Sequence, residues 1–208
     1  FMNEEDITLI SPHMAPGLYD AFGTEEFDDL YLKYEADKTI PKKSVPAQDL
    51  FFDLLKERAE TGRIYIMNLD HCNSHSSFKD KVSMSNLCQE ITLPTTPIQD
   101  IHDEQGEIAL CILSAVNVGA LNDLSELENI CDLSVRALEQ IIDYQDYPVK
   151  AAEVSTKKRR SLGIGYIGLA HYLAKNGVKY SDPKAWELVD RLSEAFQYHL
   201  LRASCDIA

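Results

Sequence analysis

The sequence predicts an α/β fold, because short apolar runs typical of buried strands alternate with segments that have helical periodicity. Two runs, 64–69 and 108–118, are almost wholly apolar, as expected for strands that are covered on both faces. A third strand is predicted over 87–93, where Pro94 and Pro97 then end the pairing. The 208 residues are enough for one domain with a sizeable core.

Helices in the first half of the chain are predicted from apolar spacing together with start and stop residues. Segment 25–36 has helical spacing and follows Thr24, a candidate N-cap. A second helix is predicted over about 47–60, with Ser44 as its cap and Gly62 as its stop. The polar residues that follow the first apolar run are expected to form a loop.

Three more helices are predicted in the second half of the chain, over 125–143, over 162–175 and from 182 onward. A capping box that begins at Ser125 opens the first of them. Pro183 stands in the first turn of the last, where proline is favoured.

Composition excludes several classes of protein. The net charge of -14 argues against a general nucleic-acid surface, and the basic run 157–160 is interpreted as a solvated loop before a helix. No apolar stretch reaches the ~18 residues of a membrane span, and no signal peptide is visible. The five cysteines are widely spaced with no C-x-x-C, which is not typical of a disulfide framework or a zinc ribbon. A reducing cytoplasm fits this pattern best.

The segment Asn86-Leu87-Cys88-Gln89-Glu90 carries the strongest chemical signal. In an extended segment, residues two apart point to one face, so a thiol, a carboxylate and a carboxamide would converge. Such a set offers a hydrogen-atom donor, a proton acceptor and a hydrogen-bonding amide to one substrate. The alternative is a strand with one inert buried cysteine and a solvent-facing glutamate, and spacing alone leaves it open.

Other candidate motifs have simpler readings. Cys111 stands inside the second apolar run and is a core cysteine unless its strand neighbours that of Cys88. Segment 163–168 matches G-x-G-x-x-G, but no strand is predicted directly before it, so the glycines are interpreted as helix-packing residues. Segment 70–75 contains metal-ligand residue types without a second cluster at zinc-like spacing. The polar residues 102–104 are expected to form a solvated turn.

Several segments, taken together and in order, resemble the large catalytic subunit of aerobic, class I ribonucleotide reductases. The likeness is collinear over essentially the whole chain and corresponds to a middle portion of the family's subunit. The segments are Asp6-Ile7-Thr8-Leu9 with Ser11-Pro12-His13, Pro16-Gly17-Leu18-Tyr19-Asp20, Thr61-Gly62-Arg63-Ile64-Tyr65-Ile66, Asp70-His71-Cys72-Asn73, Ser85-Asn86-Leu87-Cys88 with Glu90-Ile91, Gly106-Glu107-Ile108-Ala109-Leu110-Cys111 and Leu162-Gly163-Ile164-Gly165.

The resemblance implies part of a ten-stranded α/β barrel in which a central finger loop carries Cys88. Residues 1–208 would be a partial catalytic barrel domain, a fragment of a longer chain or one piece of a split chain. The family's ATP cone and its C-terminal redox tail have no counterpart in these residues.

The resemblance also implies roles for four residues. Cys88 would carry the transient thiyl radical that abstracts the substrate's 3′ hydrogen. Glu90 would take the proton of the 3′-hydroxyl, and Asn86 would hydrogen-bond the substrate. Cys111 would be one of two redox-active thiols that reduce the 2′ position and end as a disulfide, and its partner thiol would lie outside this sequence.

The implied reaction is the reduction of ribonucleoside diphosphates to deoxyribonucleoside diphosphates by an allosteric enzyme, for DNA replication. No cofactor or metal would be bound by this segment. The implied partners are a radical-generating small subunit with a dimetal-tyrosyl radical centre, the remaining segments of the large subunit, and a second large subunit in a homodimer. Thioredoxin or glutaredoxin would be the external reductant. Neither a membrane nor a nucleic acid polymer is expected as a partner.

Three alternatives remain open. The first is a non-catalytic piece of a split reductase that acts only when assembled with complementary chains. An unrelated dinucleotide-binding protein would rest on 163–168 alone. Cobalamin-dependent reductases share the Asn-x-Cys-x-Glu pattern of Asn86, Cys88 and Glu90.

Overall fold

The structure is a computed structural model that describes residues 5–208. The chain divides into two compact units between Thr95 and Thr96. Among the described residues, four strands form two separate two-stranded sheets, so the predicted ten-stranded barrel is not closed by them. No helix in this part of the chain has both the length and the apolar character that crossing a membrane requires.

The first unit pairs two strands that are distant in sequence. Strand β1, Asp6–Ile10, runs antiparallel to β2, Lys42–Pro46, and helix α1, Glu26–Ala36, lies between them in the chain. Helix α2, Ala47–Thr61, follows β2 directly, and the short helix α3, Leu69–Ser74, comes next. The sequence did not predict either strand of this pair.

Side chains fix α1 against this strand pair. The hydroxyl of Tyr31 donates to the carbonyl of Thr8 and accepts from its N–H, both at 2.8 Å. The ammonium of Lys42 donates to the carbonyls of Tyr34 at 3.2 Å and Asp37 at 2.6 Å. The carbonyls at the C-terminus of α1 are therefore satisfied from β2, as helix ends require.

The second unit is built on a parallel strand pair joined by a helical crossover. Its elements are, in order, β3 Ile112–Asn117, α4 Glu126–Tyr144, α5 Lys150–Arg159, β4 Leu162–Ile167, α6 Leu169–Lys175 and α7 Pro183–Ile207. The register pairs Ile112 with Leu162 and Asn117 with Ile167. Helix α4 packs against α7 and against both strands.

Apolar residues from the strands and from α4, α6 and α7 form the core of this unit. Burying a leucine side chain fully contributes about 1.5–3 kcal/mol, so Leu127 and Leu192, both at 0 % exposure, are strong anchors. The rings of Tyr166 and Phe196 meet edge to face at 5.5 Å and join β4 to α7. The buried cluster comprises Val116, Val118, Leu121, Leu127, Cys131, Tyr172, Leu173, Val178, Ala185, Leu192 and Phe196.

Strand β3 is covered on one face among the described residues. Val116 is buried, whereas Leu113 is 61 % exposed and Ala115 is exposed. This alternation corrects the prediction of a strand that is buried on both faces. The long apolar run 108–118 also contains less strand than predicted, since β3 begins only at Ile112.

The predicted helix over 162–175 is wrong in its first half. Residues 162–167 form β4, and a glycine with φ of +80°, Gly168, then starts α6. Pairing with β3 decides the conformation here, because tertiary contacts override local helical spacing. Two glycines of the G-x-G-x-x-G match, Gly163 and Gly165, are therefore strand residues, and the third, Gly168, is the N-cap of α6.

Two predicted strands are absent from the described residues. Residues 63–68 are irregular, and Tyr65 and Ile66 are 47 % and 53 % exposed, so no neighbouring strand there supplies a ladder. Residues 87–93 contain a turn and no strand. Apolar runs of this length do not distinguish a strand from irregular chain unless a pairing partner is known.

The remaining helix predictions are confirmed, with differences at their caps. Gly62 ends α2 with φ of +65°, as its position predicts. Ser44 lies inside β2 and does not cap α2. Ser125 makes no side-chain cap bond, and its own N–H donates to the carboxylate of Asp123 at 2.8 Å.

The basic run 157–160 is not a solvated loop. It ends α5, and two of its side chains bind the carboxylate of Glu107, which is 7 % exposed. Lys158 Nζ lies 2.5 Å from Glu107 Oε1, and Arg159 Nη2 lies 2.6 Å from Oε2. Arg160 pairs with carboxylates of α4. The side chains of this run therefore pair with carboxylates, of which that of Glu107 is buried.

This ion cluster should be tested with Glu107→Gln. Burial alone raises the pKa of the Glu107 carboxyl, but hydrogen bonds from Lys158 and Arg159 outweigh it and hold the pKa below its usual range. We expect the variant to lose roughly 3 kcal/mol of unfolding free energy at neutral pH, measured by urea denaturation and circular dichroism. The difference should shrink as the pH falls through the lowered pKa, since protonation then removes the parent's charge too.

Glu153→Gln is the matched control on α5. Glu153 pairs with Lys150 at 3.1 Å and Lys157 at 2.8 Å, but these groups are solvated, so its loss should be smaller. Equal losses of unfolding free energy in the two variants would contradict the claim that the buried Glu107 carboxylate stabilises the fold more than a partly exposed one.

Candidate active site

The segment that contains Cys88 forms a turn. The N–H of Gln89 donates to the carbonyl of Asn86 at 3.1 Å, and Gln89 has φ of +61°. The extended geometry expected for this segment is therefore wrong. Asn86, Cys88 and Glu90 are nevertheless all exposed, so one turn presents the three side chains to solvent.

Side-chain hydrogen bonds close this turn at its base. Asn86 Oδ1 accepts from the N–H of Ile91 at 3.0 Å. Ser85 Oγ donates to the carbonyl of Ile91 at 2.8 Å and lies 3.2 Å from Asn86 Oδ1. Residues 85–91 are thus a closed loop with Cys88 near its tip. Among the described residues, the Nδ2 group of Asn86 makes no hydrogen bond, so its donors are available to a ligand.

A second side chain fixes the chain before this loop. Asn73 Nδ2 donates to the carbonyls of Leu69 and Val82, both at 2.9 Å, and Asn73 Oδ1 accepts from the N–H of Val82 at 2.8 Å. Val82 itself is fully buried. The loop is therefore anchored to α3 three residues before Ser85. Asn73 and Ser85 stand in segments that carry the family resemblance, but the sequence assigned neither a role in holding the loop; the signal for that role is the tendency of Asn and Ser to hydrogen-bond backbone.

Cys111 stands directly before β3 in the second unit and is half-buried. Its Sγ lies 4.0 Å from the carbonyl of Ile112, a weak contact. The structure thus places Asn86, Cys88 and Glu90 on one exposed turn, while their convergence on one substrate and the closeness of Cys111 to Cys88 stay predictions.

The cysteines differ in the reactivity that their surroundings allow. Cys131 is 0 % exposed, and burial raises the pKa of its thiol to about 11, which makes it an inert core residue. Cys88 and Cys205 are exposed, and Cys72 is half-buried. None of the five forms a disulfide within the part of the chain that the structure describes.

The metal-ligand types at 70–75 do not form a ligand set. Residues 69–74 are helix α3, and the rings of His71 and His75 meet edge to face at 6.4 Å. Residues 5–208 contain no group of three or more His, Cys, Asp or Glu side chains that could hold a metal ion.

Comparison with known proteins points to the same family as the residues of the candidate site. The model of the ribonucleotide reductase barrel domain matches residues 1–208. Ribonucleoside-diphosphate reductase subunit alpha of Haemophilus influenzae is 57 % identical, and that of Buchnera aphidicola subsp. Baizongia pistaciae is 56 % identical. Each alignment covers 98 % of this chain and 28 % of the relative. The chain therefore spans little more than a quarter of the length of these relatives.

A solved structure shares the fold. The class Id ribonucleotide reductase alpha subunit of Actinobacillus ureae superposes with a TM-score of 0.62 and 22 % identity, over 87 % of this chain and 34 % of that chain. At this identity the likeness concerns the fold alone. The match of the family model along the whole chain shows that the protein belongs to the ribonucleotide reductase barrel-domain family.

Proposed function

We propose that this chain is part of the catalytic subunit of a ribonucleoside-diphosphate reductase, with Cys88 as its radical-bearing residue. The observation that carries the proposal is the closed turn that exposes the Cys88 thiol together with Glu90 and Asn86. The name of the relatives supplies the substrate class. The turn would be the finger loop of the complete barrel.

The three exposed side chains suit hydrogen abstraction from a ribose. A thiyl radical at Cys88 takes the 3′ hydrogen and becomes a thiol, which leaves the radical on the sugar carbon. After carbon 2′ is reduced, this thiol returns the hydrogen atom to carbon 3′ and the thiyl radical is restored. Glu90 accepts the proton of the 3′-hydroxyl as a general base. The free amide donors of Asn86 hold a hydroxyl oxygen of the substrate. A hydroxyl in place of the thiol could not do this, because its O–H bond is too strong to form and break reversibly.

Cys111 supplies reducing equivalents in this proposal. It and a second thiol outside this sequence together give two electrons and two protons. The 2′-hydroxyl leaves as water, carbon 2′ gains a hydrogen, and the two sulfurs form a disulfide. Thioredoxin or glutaredoxin would then reduce the disulfide by thiol exchange.

The rest of the enzyme would come from other segments and chains. Strands β3 and β4 each have one partner among the described residues, so each has a second edge at which strands of a ten-stranded barrel can add. A small subunit with a dimetal-tyrosyl radical centre would generate the radical, in a homodimeric, allosteric, cytoplasmic enzyme. Because the chain spans about 28 % of its relatives' length, we expect turnover only when those other parts are present.

The proposal is tested in a complete large subunit, in which this chain replaces the matching segment of the Haemophilus influenzae relative. We refer to this chimera as the complete subunit. With a small subunit and a dithiol reductant it should reduce ribonucleoside diphosphates. A folded chimera without activity, beside an active parent, would overturn the proposed function.

Cys88→Ser in the complete subunit should lower turnover about a thousandfold or more, because the hydroxyl cannot replace the thiol. Turnover is measured as deoxyribonucleotide formed per subunit. Cys205→Ser is the control, since Cys205 is another exposed cysteine on α7 and has no proposed role. Parental turnover in Cys88→Ser would remove the radical role.

Glu90→Gln should lower turnover by roughly 10²–10⁴, because the amide keeps the size of the side chain but cannot accept the proton. Substrate binding should change much less than turnover. Glu104→Gln, an exposed glutamate in the connection before β3, is the control and should retain parental activity. A parental rate for Glu90→Gln at every pH would contradict the general-base role.

Ser85→Ala tests whether the closed turn positions Cys88. Loss of one hydrogen bond costs about 1 kcal/mol, so the Ile91 amide should exchange with solvent about fivefold faster. Turnover should fall by about tenfold through misplacement of the thiol. Ser83→Ala, two residues away, should change neither quantity. Unchanged amide exchange in Ser85→Ala would show that the turn does not depend on this hydroxyl.

A further inference from the structure

Gly163 stands beside the sulfur of Cys111 in the structure. A Cβ atom at position 163 would lie 3.0 Å from Cys111 Sγ and 2.5 Å from Leu113 Cδ2. The φ of Gly163 is outside the left-handed region, so the backbone does not require glycine there. The missing side chain therefore matters for space and not for conformation.

The two contacts differ in how easily they can give way. Leu113 is 61 % exposed, and the end of its flexible side chain can swing into solvent. Cys111 is half-buried and has one side-chain torsion, so its sulfur can give way only by rotation about that torsion. A methyl group at position 163 would thus act mainly on the thiol.

The neighbouring glycine on the same face lacks this contact. Gly165 pairs in register with Ala115, two positions after the pair of Leu113 and Gly163. A Cβ atom at Gly165 would meet nothing within 4 Å. Glycine inside a strand weakens the sheet and often marks a close approach of another group. At Gly163 the approaching group is the sulfur of Cys111.

We propose that Gly163 is a positioning residue for the Cys111 thiol. Its missing side chain sets the rotamer of Cys111 and keeps the sulfur accessible from the open face of β3 and β4. The inference rests on the proposed function in one respect, the redox role of Cys111. The placement of the sulfur itself does not depend on that function.

The first measurement follows the thiol without any turnover. Reduced complete subunit is treated with iodoacetamide, and mass spectrometry follows the alkylation of Cys111 over time. Gly163→Ala should slow alkylation of Cys111 by about tenfold, while Gly165→Ala and the parent should react alike. Alkylation of Cys88 in the same samples should be equal in all variants. Equal rates at Cys111 in Gly163→Ala and the parent would overturn the inference.

The double variant Gly163→Ala/Leu113→Ala separates the two contacts. It removes the closer clash and keeps the methyl group near the sulfur, so Cys111 alkylation should stay slow. Full recovery would assign the effect to Leu113 and overturn the role proposed for the sulfur. Because the closer clash is absent, this variant also provides the test should Gly163→Ala alone fail to fold.

A turnover measurement tests whether the position of the Cys111 sulfur matters for the proposed reaction. Gly163→Ala should lower deoxyribonucleotide formation by about tenfold, with Gly165→Ala unaffected. Slow alkylation with parental turnover would overturn the functional part of the inference. Should the parental complete subunit itself be inactive, the proposed function fails, and the alkylation rates still decide where the sulfur lies.

Discussion

The buried carboxylate of Glu107 is the interaction on which the second unit depends. Its backbone pairs with Thr96 in both directions, at 3.0 and 3.1 Å, and its side chain binds Lys158 and Arg159 at the end of α5. The next residue, Ile108, donates to the carbonyl of Ala151 at 3.2 Å, on the same helix. The connection before β3 is thus tied to the helix before β4. Cys111 lies in the chain between this anchor and β3.

The positions of α1, α2, α4 and α7 could be predicted from sequence because local signals specify them, whereas α3 and α5 lie where no helix was predicted. Gly62 and Pro183 act through their own backbone conformations, and the apolar spacing of α1, α4 and α7 is unambiguous. Strands were predicted poorly because a strand needs a partner, and pairing is not a local property. The apolar residues of segment 162–167 are compatible with a helix or a strand and its glycines favour neither, so the register with β3 decides between them.

The candidate site shows the same division between local and distant causes. Sequence analysis predicted that Asn86, Cys88 and Glu90 converge, but the extended geometry behind that prediction is wrong. The structure instead places all three on a turn with a left-handed Gln89, closed by the side chains of Asn86 and Ser85, and their convergence stays a prediction. Asn86 Oδ1 holds the loop, whereas its Nδ2 is the group that the proposed function assigns to the substrate. Spacing alone could not separate these two atoms.

The two thiols of the proposed reaction are held in physically different ways. Cys88 is on an exposed turn held by individual hydrogen bonds, each contributing about 1 kcal/mol, so its position can adjust at modest cost. Cys111 directly precedes β3, whose register with β4 places Gly163 beside the Cys111 sulfur. Rotation about one side-chain torsion is the freedom that this sulfur has. A radical carrier must meet a substrate that enters and leaves, whereas a reducing thiol must meet one fixed partner sulfur within bonding geometry. Glycine at position 163 weakens the sheet. In the proposed role, the absence of a side chain at this position offsets that cost by keeping the Cys111 sulfur accessible.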